Sequence, residues 1–534
     1  MLKISRLSVE HLRTGCVTDR AQPRVSFQVQ SDRANVRLKC AELQIADWEI
    51  ETDKQILIPY QGQKLKPFTT YPVRLKVTDD AGETAEAAMQ FETGRMGAPW
   101  QAQWISDPAY SFTEKKVSPL PMMFRKKVTL KGSVASAKIC ASALGIYELE
   151  IDGKKAGDRY FAPGFTSYRH EMQYQVYDVT DLLTGNEAVL SAVIAGGWAV
   201  GSFVFTRGNR FDGDRQAFLA ELRITYEDGS EEIIGTDETW EVTEDGPYRM
   251  ADLYDGETYD ATIDTEQIAW RKAAPEKLKF VPNLIADYGS PVKAQEIMKP
   301  LTCRRTERKT LIYDFGQNFA GVIRLKLKGR AGQKITVRHA EILNPDGSLN
   351  VTFLRTAKAT ATYICKAGEQ EYSPKLTYMG FRYAEIEGIE EADVEVSAIA
   401  LYSDMEQIGG FTCSDERLNR LQKNIEWSSK SNFVEIPTDC PQRDERMGWT
   451  GDIAVFAPTA YFNFDLSRFA EKWLLDVKAK QLPSGGIPNT VPAQGYGFPA
   501  TMPTMAIDWW GDACVLVPWA QYQACGDIQI LKEM

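Results

Sequence analysis

The first two thirds of the chain alternate apolar and polar positions with the period of β-strands. The segment "TYPVRLKVTDDAGETAEAAMQFETG", which starts at Thr70, predicts a strand, a turn and a second strand. With Trp48 upstream, it predicts a small immunoglobulin-like or fibronectin-like β-sandwich over residues 1–97. The Gly- and Pro-punctuated stretch "GAPWQAQWISDP" that follows is typical of a linker.

A second β unit is predicted over residues 98–292. In its segment "GIYELEIDGKKAGDRYFAPGF" the apolar residues of Tyr147–Ile151 share one face, and we expect Glu148 and Glu150 to face water. Asp152-Gly153 is the signal of a two-residue hairpin turn. Many short strands of this kind predict a jelly-roll sandwich.

A third run of strands and turns spans residues 293–405, and beyond it the apolar period changes to that of helices. Ser414 has the character of an N-cap, and Leu418, Leu421 and Ile425 recur at helical spacing. Further helices are predicted in "TGDIAVFAPTAYFNF", "LSRFAEKWLLDVKAK" and "IDWWGDACVLVPWAQYQA", and another begins in "GDIQILKEM". We therefore predict a multidomain chain, with three β-sandwich domains followed by an all-α region over residues 406–534.

Composition narrows the class of protein. A chain of 534 residues is too long for one core, and its net charge of −11 disfavours nucleic acid or an anionic membrane as partner. No apolar run reaches the roughly 18 residues that a membrane helix needs, and the N-terminus lacks the apolar region of a secretory signal. The nine cysteines are scattered without a C-x-x-C pair, which favours reduced thiols and a cytoplasmic location. Three histidines far apart in sequence disfavour a histidine-rich metal site.

The stretch "DCPQRDERMGWTGD", from Asp439 to Asp452, is the densest cluster of chemical groups. Pro437 and Pro441 predict a loop over its first part, with a helix starting near Gly448. Composition leaves two interpretations open. The stretch is either a functional loop or a surface loop whose salt bridges contribute little.

The crowding of carboxylates in this stretch is typical of a site for acid catalysis. Crowded carboxylates push their pKa values apart, so that one can stay protonated near neutrality, as acid catalysis requires. The residues concerned are the carboxylates Asp439, Asp444, Glu445 and Asp452, the cations Arg443 and Arg446, and Trp449, whose ring could stack on a sugar. If helical, Glu445 and Asp452 would be separated by a rise of about 10 Å. This is longer than the roughly 6.5–9.5 Å of an inverting pair of carboxyl groups, so we do not take them as acid and base of one reaction.

Other segments are weaker candidates for a site. "IDWWGDA", with Asp508, Trp509, Trp510 and Asp512, could line a sugar pocket, but core tryptophans with a capping aspartate are favoured on this stretch alone. The acidic segment "LYDGETYDATID" could hold calcium, but it lacks the EF-hand spacing, so a solvated loop is favoured. "YDFGQN" has no other kinase motif around it and predicts a strand edge and turn.

The motif "DCPQRDERMGWTGD" resembles the signature of bacterial α-L-rhamnosidases, family 78 of the glycoside hydrolases. Further segments resemble the same family in the same order, among them "LGIYELEIDGKKAGDRYFAPGFTSY", "YDGETYDA", "DFGQNFAGVIRLKLKG", "VRHAEIL" and "YMGFRYAEIEG". The resemblance implies β-sandwich domains followed by an (α/α)6 barrel. It also implies inverting hydrolysis of terminal α-L-rhamnose from glycosides or oligosaccharides, without a cofactor.

The same resemblance implies roles for individual residues. Glu445 falls where the family has its general acid, and Asp444 is the other claimant because some relatives read "QRER" where this chain reads "QRDER". The remaining positions fall where the family has sugar-binding residues, which are Asp439, Arg443, Trp449 and Asp452, with Trp510 and Asp512 as matches to later pocket residues.

The family's barrel has about twelve helices and a glutamate base in its later half, whereas about four helices are predicted here. We therefore expect these 534 residues to carry the acid but not the base, and to be inactive alone. A carbohydrate-binding protein without catalysis is the main alternative, and a lyase or phosphorylase on a similar barrel is a weaker one. The aglycone, the linkage and the oligomeric state, for which a homodimer is one option, are not specified by the sequence.

Overall fold

The computed structural model describes residues 1–110, 117–493 and 506–534. β-Sandwich domains precede a helical region, so the predicted fold class is confirmed. No helix in the described ranges is long and apolar enough to cross a membrane. All nine cysteines are free thiols.

The first domain is a sandwich of two sheets, and the predicted strand–turn–strand lies in the larger one, where Thr70 pairs with Glu92 and Thr78 with Thr84. Alternate residues of the strands in the larger sheet, such as Leu43, Val73 and Leu75, are buried between the sheets. The smaller sheet contains Leu2–Val9, Arg24–Ser31 and Ile58–Pro59; the larger contains Val17–Thr18, Leu38–Ile45, Trp48–Thr52, Thr70–Asp79 and Thr84–Thr93.

The second domain packs a six-stranded sheet against a seven-stranded sheet. The six-stranded sheet contains Met122–Thr129, Ile146–Ile151, Lys154–Lys155, Glu187–Ala195, Glu241–Thr243 and Arg271–Lys272. The other contains Ile105–Ser106, Val134–Leu144, Met172–Asp178, Ala217–Tyr226, Glu231–Gly235, Ala274–Pro275 and Leu284–Ala286. A 3-10 turn at Thr180–Leu182 and the short helix α1 (Gly197–Val200) complete it.

Asp152-Gly153 joins two strands as predicted, because Ile151 pairs with Lys154. The expectation that Glu148 faces water is wrong. Its side chain is 5 % exposed and forms ion pairs with Lys155 and Lys375. Lys375 belongs to the third domain, which covers this face, and a strand's own alternation cannot report such a neighbour.

The third domain is built on an eleven-stranded sheet that begins before residue 292. The hairpin of Tyr248–Asp252 and Gly256–Asp260 joins this sheet, where Gly256–Asp260 runs parallel to Thr360–Ile364. The other strands are Arg159–Tyr160, Val292–Met298, Thr302–Arg305, Leu311–Gly329, Lys334–Ala340, Gly368–Tyr372, Met379–Glu387 and Val394–Ser403, with 3-10 turns at Thr352–Leu354 and Glu391–Asp393. The hairpin brings the segment "YDGETYDA" to the edge of the sheet that faces the helical region.

The helical region contains α2 (Glu416–Asn432), α3 (Thr450–Asn463), α4 (Ser467–Lys480), α5 (Ala513–Cys525) and α6 (Ile528–Glu533). The predicted N-cap Ser414 is wrong by one residue, because the Asp415 side chain accepts the N–H of Arg417. α5 begins at Ala513, so Trp509 and Trp510 precede the helix. The strands Phe433–Val434 and Ile436–Pro437 form a small ribbon between α2 and α3.

Candidate active site

The carboxylate cluster lies on the irregular segment between this ribbon and α3. Pro437 ends the second strand of the ribbon, the segment from Asp439 to Arg443 is irregular as predicted, and α3 starts at Thr450 with Trp449 as its N-cap residue. Glu445 is therefore outside the helix. The side chains of Asp444, Glu445 and Arg446 are buried, so the segment is not a solvated surface loop.

The two carboxyl oxygens of Glu445 have different surroundings. Oε2 lies 2.8 Å from Nη1 of Arg355 and 3.0 Å from Nε of Arg443, and neither contact has the alignment of a hydrogen bond. Oε1 accepts a hydrogen bond from Nε1 of Trp449 at 3.1 Å. Two cations thus face one oxygen, and a neutral donor faces the other.

Asp439 is the most strongly perturbed carboxyl of the segment. Its Oδ1 accepts the N–H of Met447 at 3.0 Å, and its Oδ2 lies 3.3 Å from Nη2 of Arg443. Burial raises the pKa of Asp439 to about 6, and the charge of Glu445 adds to this effect while the hydrogen bonds oppose it. Asp439 can therefore hold a proton up to about pH 6.

Asp444, the other claimant for the acid, is 1 % exposed. The hydroxyl of Thr356 donates a hydrogen bond to its Oδ2, and its Oδ1 has no hydrogen-bond partner among the described residues. Thr356 follows Arg355 in the third domain. Of these two consecutive residues of a sandwich domain, Arg355 contacts Glu445 and Thr356 contacts Asp444.

Arg446 fixes the segment to the third domain, a supporting role that the sequence did not indicate. Its Nη1 donates to the carbonyl oxygens of Leu253 at 2.6 Å and Tyr378 at 2.8 Å, and its remaining nitrogens bond carbonyls of its own loop. The guanidinium group lies 4.6 Å from the ring centre of Tyr378 and 5.3 Å from that of Tyr254. The hydroxyl of Tyr254 donates to the backbone oxygen of Glu445 at 2.8 Å.

The first half of the acidic segment that contains Tyr254 is structural, so the expected solvated loop is wrong for Asp255 and Glu257, whereas Asp264 is exposed. Asp255 is paired with Arg207 and Lys358. Glu257 is fully buried and accepts the backbone N–H groups of Lys375 and Leu376, each at 3.0 Å. Burial raises the pKa of Glu257 to about 7. These bonds tie the hairpin to the third domain beneath the cluster.

One group in the described ranges has the spacing to hold a metal ion. Asp439, Cys440 and Glu445 each offer an atom, all within 4.8 Å of one another. Arg355 and Arg443 already neutralise Glu445 and would repel a cation. Burial also raises the pKa of the Cys440 thiol, which disfavours the thiolate that would bind metal. The cluster is therefore better suited to holding a proton than a metal ion.

The structure brings the second tryptophan motif to the start of α3. The ring of Trp510 packs on Gly451, where an added Cβ would come within 2.9 Å of it, and Nε1 of Trp510 is buried without a hydrogen-bond partner in the described ranges. Asp452 and Asp512 are exposed in the first turn of α3 and at the N-terminus of α5. Asp512 is the N-cap residue of α5, as the capping assignment requires, but its side chain makes no capping hydrogen bond.

Comparison with protein families covers nearly all of this architecture. Residues 4–97 match the Rha78A-like N-terminal immunoglobulin domain, and residues 132–301 match the α-L-rhamnosidase N-terminal domain. Residues 304–402 match the bacterial α-L-rhamnosidase concanavalin-like domain, and residues 406–534 match the bacterial α-L-rhamnosidase six-hairpin glycosidase domain. The chain belongs to the bacterial α-L-rhamnosidase family. The carboxylate cluster lies in the part that matches the glycosidase domain.

Individual α-L-rhamnosidases agree with this assignment. One from Formosa agariphila is 33 % identical over 502 residues, which are 90 % of this chain and 54 % of that protein. The crystal structure of a Streptomyces avermitilis α-L-rhamnosidase complexed with L-rhamnose superposes with a TM-score of 0.91 at 28 % identity, covering all of this chain and 70 % of the other. The Aspergillus terreus enzyme gives a TM-score of 0.92 at 32 % identity, covering all of this chain and 64 % of the other. The chain spans about half the length of the curated relatives it matches.

Proposed function

We propose that the protein to which these residues belong hydrolyses terminal α-L-rhamnosides with inversion of configuration. The observation that carries the proposal is the environment of Glu445, a buried carboxyl between two arginines, an indole N–H and a second carboxyl. The Streptomyces avermitilis relative, solved with L-rhamnose, supports rhamnose as the sugar. The aglycone remains open in this proposal.

Glu445 is the proposed proton donor to the leaving oxygen. Asp439, whose pKa burial raises to about 6, has a carboxyl oxygen within 4.8 Å of one of Glu445 and can hold a proton beside it. Proton donation from a positioned carboxyl group contributes about 10²–10⁴ to such reactions. Asp444 is less suited, because the hydroxyl of Thr356 already donates to it from the neighbouring domain.

The remaining site residues are proposed to hold the sugar. Arg443 and Asp439 offer a charged donor and acceptor beside the acid, and Trp449 and Trp510 offer ring faces at the start of α3. Asp452 at the start of α3 and Asp512 at the start of α5 are exposed carboxylates, which can accept hydrogen bonds from sugar hydroxyl groups. Asp439 is not proposed as the base, because inverting carboxyl groups stand roughly 6.5–9.5 Å apart to admit a water molecule.

The stereochemistry of the first product tests the proposal. Proton NMR of the full-length protein acting on an aryl α-L-rhamnoside should show β-L-rhamnose first, with the α-anomer appearing only through mutarotation. Initial release of the α-anomer would show retention. A carboxyl close to Glu445, such as Asp439, would then be the nucleophile, since retaining pairs stand about 5–5.5 Å apart. Rhamnose binding without any turnover would favour the carbohydrate-binding alternative.

We further propose that the 534 residues alone turn over rhamnosides poorly, because the curated relatives are nearly twice as long. The measurement compares kcat/KM of this polypeptide with that of a full-length relative on the same aryl rhamnoside. Comparable values would contradict this part of the proposal and place the base within the present residues.

A further inference from the structure

The side chain of Arg355 reaches the proposed acid from a different domain. Arg355 follows the 3-10 turn Thr352–Leu354 of the concanavalin-like domain, and its Nη1 lies 2.8 Å from Oε2 of Glu445. Its side chain is 42 % exposed, whereas that of Glu445 is 8 % exposed. Among the described residues Glu445 is the only ion-pair partner of Arg355, whereas Glu445 also pairs with Arg443.

The loop that presents Arg355 is fixed on both sides. Leu354 is buried in the core, and beyond Arg355 the N–H groups of Ala359 and Thr360 donate to the carbonyl oxygens of Tyr254 and Asp255. Tyr254 in turn holds the backbone of Glu445 through its hydroxyl. The loop and the acid are thus anchored to the same hairpin, and their separation is set by rigid structure.

The backbone of Arg355 has a conformation that is unfavourable for a residue with a long side chain. Its φ of 55° and ψ of −111° lie in a region where glycine is favoured and a long side chain is strained. The chain nevertheless places an arginine at this position, with its charged end against the acid. Strain of this kind concentrates at functional sites, where the surrounding structure holds it in place.

We propose that Arg355 is a positioning residue that directs proton donation by Glu445, an inference that rests on the function proposed above. Arg355 and Arg443 both face Oε2, and neither guanidinium group can accept a proton. Because both cations hold Oε2, proton donation is assigned to Oε1, the oxygen that faces the neutral indole of Trp449. In the reaction this proton passes from Oε1 to the glycosidic oxygen, which keeps the electron pair of the breaking bond, and Arg355 stays protonated throughout.

The test is a kinetic double-mutant cycle in the full-length protein, with rhamnosides of graded leaving groups. Arg355→Met should lower kcat about tenfold for poor leaving groups and little for an activated aryl leaving group, with KM nearly unchanged. Arg355→Lys should recover part of the loss. The double variant Arg355→Met with Glu445→Gln should be no slower than Glu445→Gln alone, because residues that act as a unit are not additive.

Lys358→Met is the matched control, since it removes one positive charge from the same loop. Lys358 is 72 % exposed and pairs with Asp255, not with Glu445. Any change in kcat of Lys358→Met should be the same for poor and for activated leaving groups. Arg355→Gly removes the guanidinium group while relieving the backbone, so it should give the kinetic change of Arg355→Met in a chain at least as stable as the parent.

The outcomes separate the two proposals. If Glu445→Gln shows leaving-group dependence and Arg355→Met behaves as the Lys358 control, the positioning role is wrong and the proposed acid stands. Full additivity in the double variant would also overturn the positioning role. If Glu445→Gln itself shows no leaving-group dependence, the assignment of the acid fails, and the inference about Arg355 fails with it.

Discussion

At the scale of single residues, the choice between Glu445 and Asp444 is the sharpest question that the site poses. Both are buried, but the structure gives them different partners: two arginines and an indole for Glu445, and the Thr356 hydroxyl for Asp444. We expect Glu445→Gln in the full-length protein to keep rhamnose binding and to lower the rate by about 10²–10⁴ on poor leaving groups. The loss should shrink for activated aryl rhamnosides, which need little protonation.

Asp444→Asn serves as the internal comparison, because it removes one charge from the neighbouring residue. If it shows the leaving-group dependence and Glu445→Gln does not, the assignment is off by one residue. If neither variant shows it, the cluster is structural.

Asp439 should make stability depend on pH. Its folded-state pKa of about 6 lies above the value near 3.9 of an unfolded aspartate, so the folded chain holds an extra proton between these pH values. The corresponding stability is fully present below about pH 4 and is lost as pH rises through 6, to an extent of at most about 3 kcal/mol. Asp439→Asn is permanently neutral, so its stability relative to the parent should rise from pH 4 to pH 7 in chemical denaturation.

A control of opposite sign is available at Asp415. A hydrogen bond from Arg417 holds the pKa of this exposed carboxyl below its usual range, so its stabilising contribution is lost as pH falls through the folded-state pKa. Asp415→Asn should therefore lose stability relative to the parent mainly at neutral pH. Equal pH dependence of Asp439→Asn and the parent would contradict the first expectation.

At the scale of elements, sequence patterns located most of the structure and missed what distant segments contribute. α3 and α4 follow the predicted segments because their apolar spacing is local information. "DFGQN" is a break in the register of a long strand, between Asp314 and Phe319, in keeping with the predicted strand edge and turn. The burial of Glu148 and the partners of Glu445 could not be predicted, since Lys375, Arg355 and Tyr254 lie far from them in sequence.

The candidate site was also only partly predictable from the sequence. Crowding of carboxylates and arginines around one tryptophan is visible in the sequence itself, and it is enough to identify Asp439–Asp452. The supports of that segment cannot be identified from the sequence, because Thr356 and Tyr254 carry no local signal of catalysis. The roles of Tyr254 and Arg355 are visible only in the folded structure, where both contact Glu445.

The helices α3 and α5 present apolar side chains to solvent. Val455 and Phe462 on α3 are 72 % and 56 % exposed, and Val515 on α5 is 65 % exposed. Exposed apolar surface of this kind binds hydrophobic dyes and promotes association. We expect the double variant Val455→Lys with Val515→Lys to reduce both dye fluorescence and self-association of the 534-residue chain.

Leu301→Lys provides the matched control, because Leu301 is 72 % exposed on a sandwich domain, away from these helices. It should leave dye binding and association nearly unchanged. An equal decrease in the control, or no decrease in the double variant, would show that α3 and α5 are not the source of the effect.

At the scale of the whole molecule, the segment that carries the proposed acid is held jointly by the helical region and by the sheet of the third domain. The helical region supplies Glu445 itself, the hairpin around Tyr254 holds its backbone, and the concanavalin-like domain supplies Arg355. Residues of the sandwich domains therefore position Glu445 directly. One buried arginine, which has no carboxylate partner among the described residues, connects the two parts through hydrogen bonds to backbone carbonyl groups.

Arg446 is that residue, and its replacement should loosen the helical region from the sandwich domains. Arg446→Met leaves the carbonyl oxygens of Leu253 and Tyr378 without their donor in a buried place, which costs on the order of 3 kcal/mol. Limited proteolysis should then cut after about residue 405 sooner than in the parent, and calorimetry should show a helical transition separated from that of the sandwiches. Arg417→Met, whose side chain is 91 % exposed and paired only with Asp415 in the described ranges, should change neither. If Arg446→Met unfolds in one transition at the temperature of the parent, then the joint lies elsewhere, and Glu445 must be held mainly by its own helical region.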